Sequence, residues 1–334
     1  MKRHGNLWGK IVDIDNIISA HNKAKKGKMH YREVKMVETD IRGYCEKIQS
    51  MLISGEYKTS DYSVETRWDG KKHRQIHKLP YYPDRIVQHS LMNIIGEIFY
   101  GSLIRDTFQS IPNRGTGDAF KRVKKCVQEK KPGYALKVDV HKFYPSIDNT
   151  ILKQTVRRKI KCKTTLRLVD DIIDSTEGVP IGNFTSQIFG NIYLSEIDWW
   201  VKQQIRPLGY FRYCDDLIIF SNSRKDLLRI KEQLDHRVEE IKLSLKPSWA
   251  VYDIEQDGID FVDYVFYHNH VWVREDIMNR MKSTIQKVHR EGVGVDNNLS
   301  RLMSYKGWLL RSNLSIFYAT LTPRIERQLY SSKE

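Results

Sequence analysis

Two consecutive carboxylates, Asp215 and Asp216, stand in the middle of Phe211-Arg-Tyr-Cys-Asp-Asp-Leu-Ile-Ile-Phe220, a stretch otherwise rich in aromatic and β-branched residues. Such residues favour strands, and a polar centre between two of them predicts a β-hairpin with the acids at its turn. Like charges held together cost energy unless a cation neutralises them. Two readings follow. The pair is either a solvated turn, the ordinary fate of an Asp-Asp dipeptide, or the seat of a divalent metal held by oxygen ligands.

The rest of the chain favours the second. Its 334 residues suffice for one large domain or two to three subdomains with their own cores. Lys and Arg number 56 against 41 Asp and Glu, and the net charge of +15 points to a polyanionic partner, most simply nucleic acid. Cys45, Cys126, Cys162 and Cys214 are far apart and form no CxxC pair, so neither a zinc site nor a disulfide framework is indicated. Free thiols fit a reducing cytosol. Met1-Lys-Arg-His-Gly lacks the apolar core of a signal peptide, and no apolar run approaches the ~20 residues of a membrane span.

Residues 7–55 read as amphipathic helices, interrupted by the basic stretch His21-Asn-Lys-Ala-Lys-Lys-Gly-Lys28, taken as a solvated loop or, less simply, a nucleic-acid contact. Residues 56–80 read as strands turning at Asp69-Gly70, with dense positive charge over Lys71–Lys78. A helix is predicted from Pro83, a turn over Ile111–Gly117, a helix over Phe120–Val127 and a strand over Tyr134–Val140. Gly178-Val-Pro-Ile-Gly-Asn183 is a loop feeding a helix from Ser186. A charged helix over 224–242 precedes strands Trp249–Ile254, Ile259–Phe266 and Val271–Val273, and residues from 275 onward read as helical and basic. The order is mixed α+β, without the βαβ rhythm of a doubly wound sheet.

Asp139 closes the Tyr134–Val140 strand. It is either a helix cap or, if that strand pairs with the Asp215 hairpin, a third carboxylate beside Asp215 and Asp216. Such a set can hold two Mg²⁺ ions roughly 3.5–4 Å apart, the geometry of in-line phosphoryl transfer.

Asp139-Val-His-Lys-Phe-Tyr-Pro-Ser-Ile-Asp148 resembles motif A of reverse transcriptases, and Tyr213-Cys-Asp-Asp216 resembles their Tyr-x-Asp-Asp box, motif C. The resemblance implies metal ligands at Asp139, Asp215 and Asp216, with the Val140 backbone as a further contact, and two Mg²⁺ ions that Mn²⁺ can replace. It places Tyr144 under the incoming sugar, where a ring collides with a ribose 2′-hydroxyl; Phe143 and Tyr144 are otherwise core aromatics. Asp148 reads as a capping residue. Lys72 and Arg74 resemble the pair that holds the nucleotide triphosphate, where cations offset transition-state charge; the arginine fork suits phosphate better. Asp84-Arg-Ile-Val-Gln88 and Arg114-Gly-Thr-Gly117 resemble the helix and turn that follow in bacterial reverse transcriptases, as scaffold or template-side contacts. Leu243–Trp249 stands at motif D, where Lys246 is a candidate general acid for pyrophosphate. Gly258–Tyr264 resembles the primer-grip hairpin, motif E.

Motif B narrows the family further. Most reverse transcriptases have Gln-Gly-x-x-x-Ser-Pro there; this chain has Ile181-Gly-Asn-Phe-Thr-Ser-Gln187. That pattern resembles the reverse transcriptases of diversity-generating retroelements, which copy a template-repeat RNA, misincorporate opposite adenines and diversify a target gene by mutagenic retrohoming. It implies nucleotide-side roles for Ile181, Gly182 and Gln187, with Arg74 and Ile181 as candidates for tuning fidelity. It also implies a right-hand polymerase fold: N-terminal helices and fingers, with part of the palm, over 1–133, the palm with motifs A to E over 134–274 and a short helical thumb over 275–334. Arg114, Arg280, Lys282, Lys287 and Arg290 would contact template–primer phosphates. The implied partners are template RNA, cDNA or primer, dNTPs and a small basic accessory protein that forms a pentamer. A cytoplasmic, bacterial or phage-encoded enzyme is expected. With the chain ending at Glu334, RNase H, maturase and endonuclease functions are expected from partners. The alternatives are a retron-like or phage-defence reverse transcriptase, and a non-catalytic nucleic-acid-binding protein on a decayed polymerase fold.

Overall fold

A computed structural model describes residues 3–68, 73–291 and 298–312. The expected mixture of helices and mostly antiparallel strands is present. An outlying hairpin pairs β1 (Ser63–Trp68) with β2 (His73–Lys78). The central sheet contains β3 (Thr107–Phe108), β4 (Tyr134–Asp139), β5 (Gly209–Tyr213), β6 (Asp216–Ser221) and β7 (Ala250–Asp253), in the order β3-β5-β6-β4-β7. Only the β3–β5 pair is parallel. A third sheet joins β8 (Ile259–Phe261), β9 (Tyr264–Phe266) and β10 (Val271–Val273).

Successive side chains on a strand face opposite sides, and here each side has its own core. Leu136, Val138, Leu217 and Ile219 enter one core, with helices Ile86–Tyr100, Ser186–Tyr193 and Arg224–Glu240. Ala135, Ile218 and Phe220 enter the other, with helix Thr116–Lys130 and the β8–β10 sheet. Burial on both faces explains why Leu217–Phe220 is an unbroken apolar run rather than an alternating one. The acids at the ends of these strands therefore rest on a sheet clamped from both sides.

Four helices occupy the N-terminal region: Trp8–Ile11, Ile14–Ala24, Arg32–Thr39 and Ile41–Ser54. The basic stretch is only partly a loop. Ile17, Ala20, His21 and Ala24 share the buried face of one helix, a spacing that carries the helix through the first half of the stretch. His21 is fully buried between Glu38 (2.6 Å) and the Tyr81 hydroxyl (2.8 Å). The helix expected from Pro83 begins as α-helix at Ile86, after an irregular turn over Tyr81–Arg85 in which Tyr82 is extended. A residue before proline is pushed out of the helical region, which accounts for the extended Tyr82 and for the break just before Pro83. The run Ile259–Phe266 is not one strand but a hairpin, with both turn residues in the left-handed region (Val262 φ 45°, Asp263 φ 75°). The resemblance of Gly258–Tyr264 to the primer-grip hairpin implies such a turn, but neither residue is glycine or asparagine, so turn chemistry alone does not place it. Helices Glu275–Glu291 and Asn298–Arg311 follow. The Asp69-Gly70 turn and Lys72 lie outside the described residues.

Candidate active site

The register of β4 on β6 sets Asp139 directly opposite Asp216. β5 and β6 are joined by the two-residue turn Cys214–Asp215, so Asp216 opens a strand instead of sharing the turn. The Asp215 carbonyl accepts the Val140 N–H (3.1 Å), which ties the turn to the end of β4. All three acids, with Val140, line one cleft of about 880 Å³.

The charges at this point are poorly compensated. Burial pushes the Asp216 carboxyl up to about 7, and the Asp139, Asp260 and Asp215 charges add to the rise against the pull of Lys137. Asp139 is also raised, by burial first and by Asp215, although a hydrogen bond from Lys246 opposes the shift. Lys246 pairs with Asp139 Oδ1 and donates its backbone N–H to the Asp139 carbonyl (2.8 Å). Lys137 lies 3.8 Å from Asp216 Oδ2 and 3.6 Å from Asp260 Oδ2. Asp216 Oδ1 is buried and, among the described residues, has no hydrogen-bond partner. Among the described residues no three ligating side chains are gathered into a ready-made ion site. Yet an orphaned carboxylate oxygen beside two further acids is a donor set that suits a hard divalent cation.

Below the turn lies a feature that the sequence reading missed. Arg212 is fully buried on β5 and uses its guanidinium as a complete hydrogen-bonding fork. It donates to Asp198 Oδ1 (2.8 Å) and Oδ2 (2.6 Å), to Asn191 Oδ1 (3.1 Å) and the Asn191 carbonyl (3.1 Å), and to the Cys214 carbonyl (2.8 Å). Asp198, itself buried, also accepts from the Tyr210 hydroxyl (2.7 Å) and Thr107 Oγ1 (2.9 Å). Cys214 has φ 58°, a left-handed conformation that β-turn geometry demands and that non-glycine residues seldom adopt unaided. One buried ion pair thus holds the residue immediately before the two acids. An arginine inside an apolar strand is a signal that a buried partner exists, but Asp198 sits on a separate helix and nothing in the local spacing identifies it.

The Gly178–Asn183 loop forms the opposite wall. Gly178 (φ 67°) leaves no room for a side chain: a Cβ there would meet the Pro145 carbonyl oxygen at 2.6 Å. Gly182 (φ 128°) is equally constrained, since its Cβ would meet the His77 carbonyl oxygen at 2.3 Å. His77 N–H donates to the Ile181 carbonyl (2.8 Å), joining the loop to β2. Asn183 donates to the Tyr62 hydroxyl (2.6 Å), and the Phe184 N–H to Gln88 Oε1 (3.1 Å).

The residues singled out from sequence divide between two spaces. Arg74 on β2, Tyr144, Ile181 and Lys246 line the cleft with the three acids. Gly182 and Gln187 line a second cavity, of about 350 Å³, to which Tyr144 and Ile181 also belong. Tyr144 is half-buried with its hydroxyl 3.3 Å from Cys214 Sγ, whereas Phe143 is in the core. Asp148 is a helix cap that accepts the Ile151 N–H (2.9 Å). Arg114 donates to the Ile104 carbonyl (2.9 Å) and its pKa is lowered by burial; it lines neither space. On helix Glu275–Glu291, Arg280 pairs with Asp276 (3.3 Å). At about 100° per residue, Arg280, Lys287 and Arg290 fall on one side of that helix and Lys282 on another.

A sequence profile described as reverse transcriptase (RNA-dependent DNA polymerase) matches residues 66–261, well over half the chain. The chain belongs to the reverse transcriptase (RNA-dependent DNA polymerase) family. The family acts on an RNA template, a primer and dNTPs, and typically uses divalent metal ions. Among solved structures it is similar to apo telomerase from Candida tropicalis, at 12% identity and a TM-score of 0.48, over 63% of this chain and 48% of that one. A second match is the same telomerase truncated from its C-terminal domain, at 13% identity and a TM-score of 0.49, over 65% and 55%. The chain spans about half the length of these telomerase chains. No curated protein matches it. Among the described residues no helix is long and apolar enough to cross a membrane.

Proposed function

We propose that this reverse transcriptase serves a diversity-generating retroelement, copying a template-repeat RNA into cDNA with frequent misincorporation at template adenines, for mutagenic retrohoming into a target gene. The observation that carries the reading is Ile181. It lines the cleft opposite the acids, where a glutamine would offer hydrogen bonds to the nucleotide and isoleucine offers none. Pose then depends on base pairing and shape.

In this reading Asp139, Asp215 and Asp216, with the Val140 backbone, hold two Mg²⁺ ions. Bound there, these supply activation of the primer hydroxyl and neutralisation of the leaving pyrophosphate. Arg74, with Lys72, holds the triphosphate, and Tyr144 excludes the ribose 2′-hydroxyl. Lys246, paired with Asp139 in the absence of substrate, gives a proton to pyrophosphate once it leaves that carboxylate. Gly182 lets the Ile181 wall press against β2, and Gln187 stands behind it. Residues 1–133 serve as N-terminal helices and fingers with part of the palm, 134–274 as palm and 275–334 as thumb. Arg280, Lys287 and Arg290, with Lys282 and Arg114 as further contacts, take template–primer phosphates. A basic pentameric accessory protein assists a cytoplasmic enzyme encoded by a bacterium or phage.

Primer extension on a defined RNA template with Mg²⁺ and dNTPs, followed by sequencing of the cDNA, tests the reading. Errors should concentrate opposite adenine, and Asp215→Ala with Asp216→Ala should abolish synthesis. Equal error at all four template bases would remove the retroelement assignment and leave the polymerase intact.

A further inference from the structure

Lysine is depleted from strands, yet Lys137 stands inside β4, two residues before Asp139. Both side chains therefore project from the same face, the one that meets the β8–β10 sheet. The partly buried ammonium lies between carboxylates of two different sheets, 3.8 Å from Asp216 Oδ2 and 3.6 Å from Asp260 Oδ2. It also donates to the Asp260 carbonyl (2.8 Å). Its hydrogen bond is thus to β8, whereas at 3.8 Å it reaches Asp216 through its charge alone.

Asp260 is held from its far side as well. Arg274 donates to its Oδ1 through Nε (3.0 Å) and Nη2 (2.8 Å), and Nη1 lies 3.5 Å from Asp263 Oδ1. The Arg274 N–H donates to the Asp263 carbonyl (3.0 Å), which fixes the β8–β9 turn. Arg274 immediately precedes helix Glu275–Glu291. Asp216, Lys137, Asp260 and Arg274 therefore form a row of alternating charge from the acids to the start of the C-terminal helices. A positive charge fixed beside Asp216 has two consequences. It joins the β8–β10 sheet to β4, and it opposes any divalent cation that Asp216 binds.

We propose that Lys137 is a positioning residue for the reaction: anchored on Asp260, it holds Asp216 in place while keeping the metal site weak, so that metal occupancy and the seat of the β8–β10 sheet are energetically coupled. The proposal rests on the reading of Asp139, Asp215 and Asp216 as metal ligands but not on the retroelement assignment. The coupling is reciprocal: a shift of the sheet that carries Lys137 from Asp216 changes metal affinity, and metal binding changes the hold of the sheet by the same factor.

The test uses the full chain and Mn²⁺ alone at pH 8. Binding is read from the loss of the free-ion signal in electron paramagnetic resonance, counting the sites that Asp216→Asn removes, and kcat is read separately by primer extension. Lys137→Met is expected to bind Mn²⁺ about tenfold more tightly, because a nearby positive charge is gone. Its kcat should nevertheless fall by about a hundredfold, because Asp216 and β8 lose their tie. Lys137→Arg should keep both near wild type. Asp260→Asn leaves the ammonium with one carboxylate fewer and should weaken Mn²⁺ binding, the opposite sign. Weaker binding together with lower kcat in Lys137→Met is what damage to the fold would give, and it overturns the proposal. So does an unchanged affinity, an unchanged kcat, or tighter binding in Asp260→Asn. A wild-type chain without Mn²⁺ sites that depend on Asp216 overturns the metal reading of the acids and the proposal with it.

Discussion

The two loops that face each other across the cleft are built on opposite principles. The Cys214–Asp215 turn is fixed from beneath by charge, through Arg212, Asp198 and Asn191, all inside the sheet's own core. The Gly178–Asn183 loop is fixed by absence of side chains, at Gly178 and Gly182, and by contacts to separate elements through His77, Tyr62 and Gln88. The first arrangement keeps carboxylates where they repel one another. The second ties the wall of the cleft to β2 of the β1–β2 hairpin, through the hydrogen bond from His77 to Ile181 and the close approach at Gly182. In the proposed reading, chemistry is held by the rigid sheet, and selection by a joint between elements.

The sharpest way to break that comparison is at Arg212. Arg212→Met strands Asp198 as a lone buried charge and is expected to cost about 3–5 kcal/mol in urea denaturation. Adding Asp198→Leu removes the stranded charge and should recover most of that stability. Activity should not return with it, because the Cys214 carbonyl still lacks its donor; displacement of a reacting group by about 1 Å can cost on the order of a hundredfold in kcat. A stable double variant with wild-type kcat would show that Arg212 supports the fold and does not position the acids.

These two loops were also unequally legible. The acids could be read from sequence because hairpin chemistry places Asp215 and Asp216 within one short stretch, and Asp139 ends a strand whose apolar pattern is plain. The glycines of the opposite wall could be read because few other residues accept their backbone angles. Arg212 could not, since its partners Asp198 and Asn191 lie on helices that only the folded chain brings beneath β5. His21 was misplaced in a loop because the lysines around it outweighed the helical spacing of Ile17, Ala20 and Ala24. The Val262–Asp263 turn followed from the primer-grip resemblance but not from turn chemistry, because a β-branched valine rarely takes a left-handed angle. Local periodicity and turn chemistry were legible, while burial of charge by distant elements was not.

A second prediction concerns the buried charge beside the rigid turn. Asp216 has a folded-state pKa of about 7, against an ordinary value near ~3.9 when unfolded. Below about pH 4 both states hold the proton and the site costs nothing. As pH rises through the window between the two values, the unfolded chain releases its proton first, so folding stability falls until about pH 7 and then levels off. Asp216→Asn removes this penalty. In EDTA the variant should be more stable than wild type at pH 8, by on the order of 4 kcal/mol at most, and equal to it at pH 4. Mg²⁺ should stabilise wild type at pH 8 and leave the variant unmoved. A difference that does not change with pH would mean that packing, not charge, sets the effect.

The smallest expected effect lies across the cleft, at Ile181, and it tests what the jointed loop contributes. Ile181→Gln supplies a polar group to the wall of a cleft that already carries Arg74 and Tyr144. One new hydrogen bond to the nucleotide is worth roughly 0.5–1.5 kcal/mol, or about tenfold at most in discrimination. Misincorporation opposite adenine should therefore fall by up to about tenfold relative to the other template bases, read by sequencing of cDNA, while kcat with the correct nucleotide changes little. The ceiling matters as much as the direction. Because one side chain cannot deliver more than this, a larger drop would mean that the substitution had moved the loop itself through its Ile181–His77 hydrogen bond. An unchanged error spectrum would move the origin of infidelity from the wall to the β1–β2 hairpin that holds it.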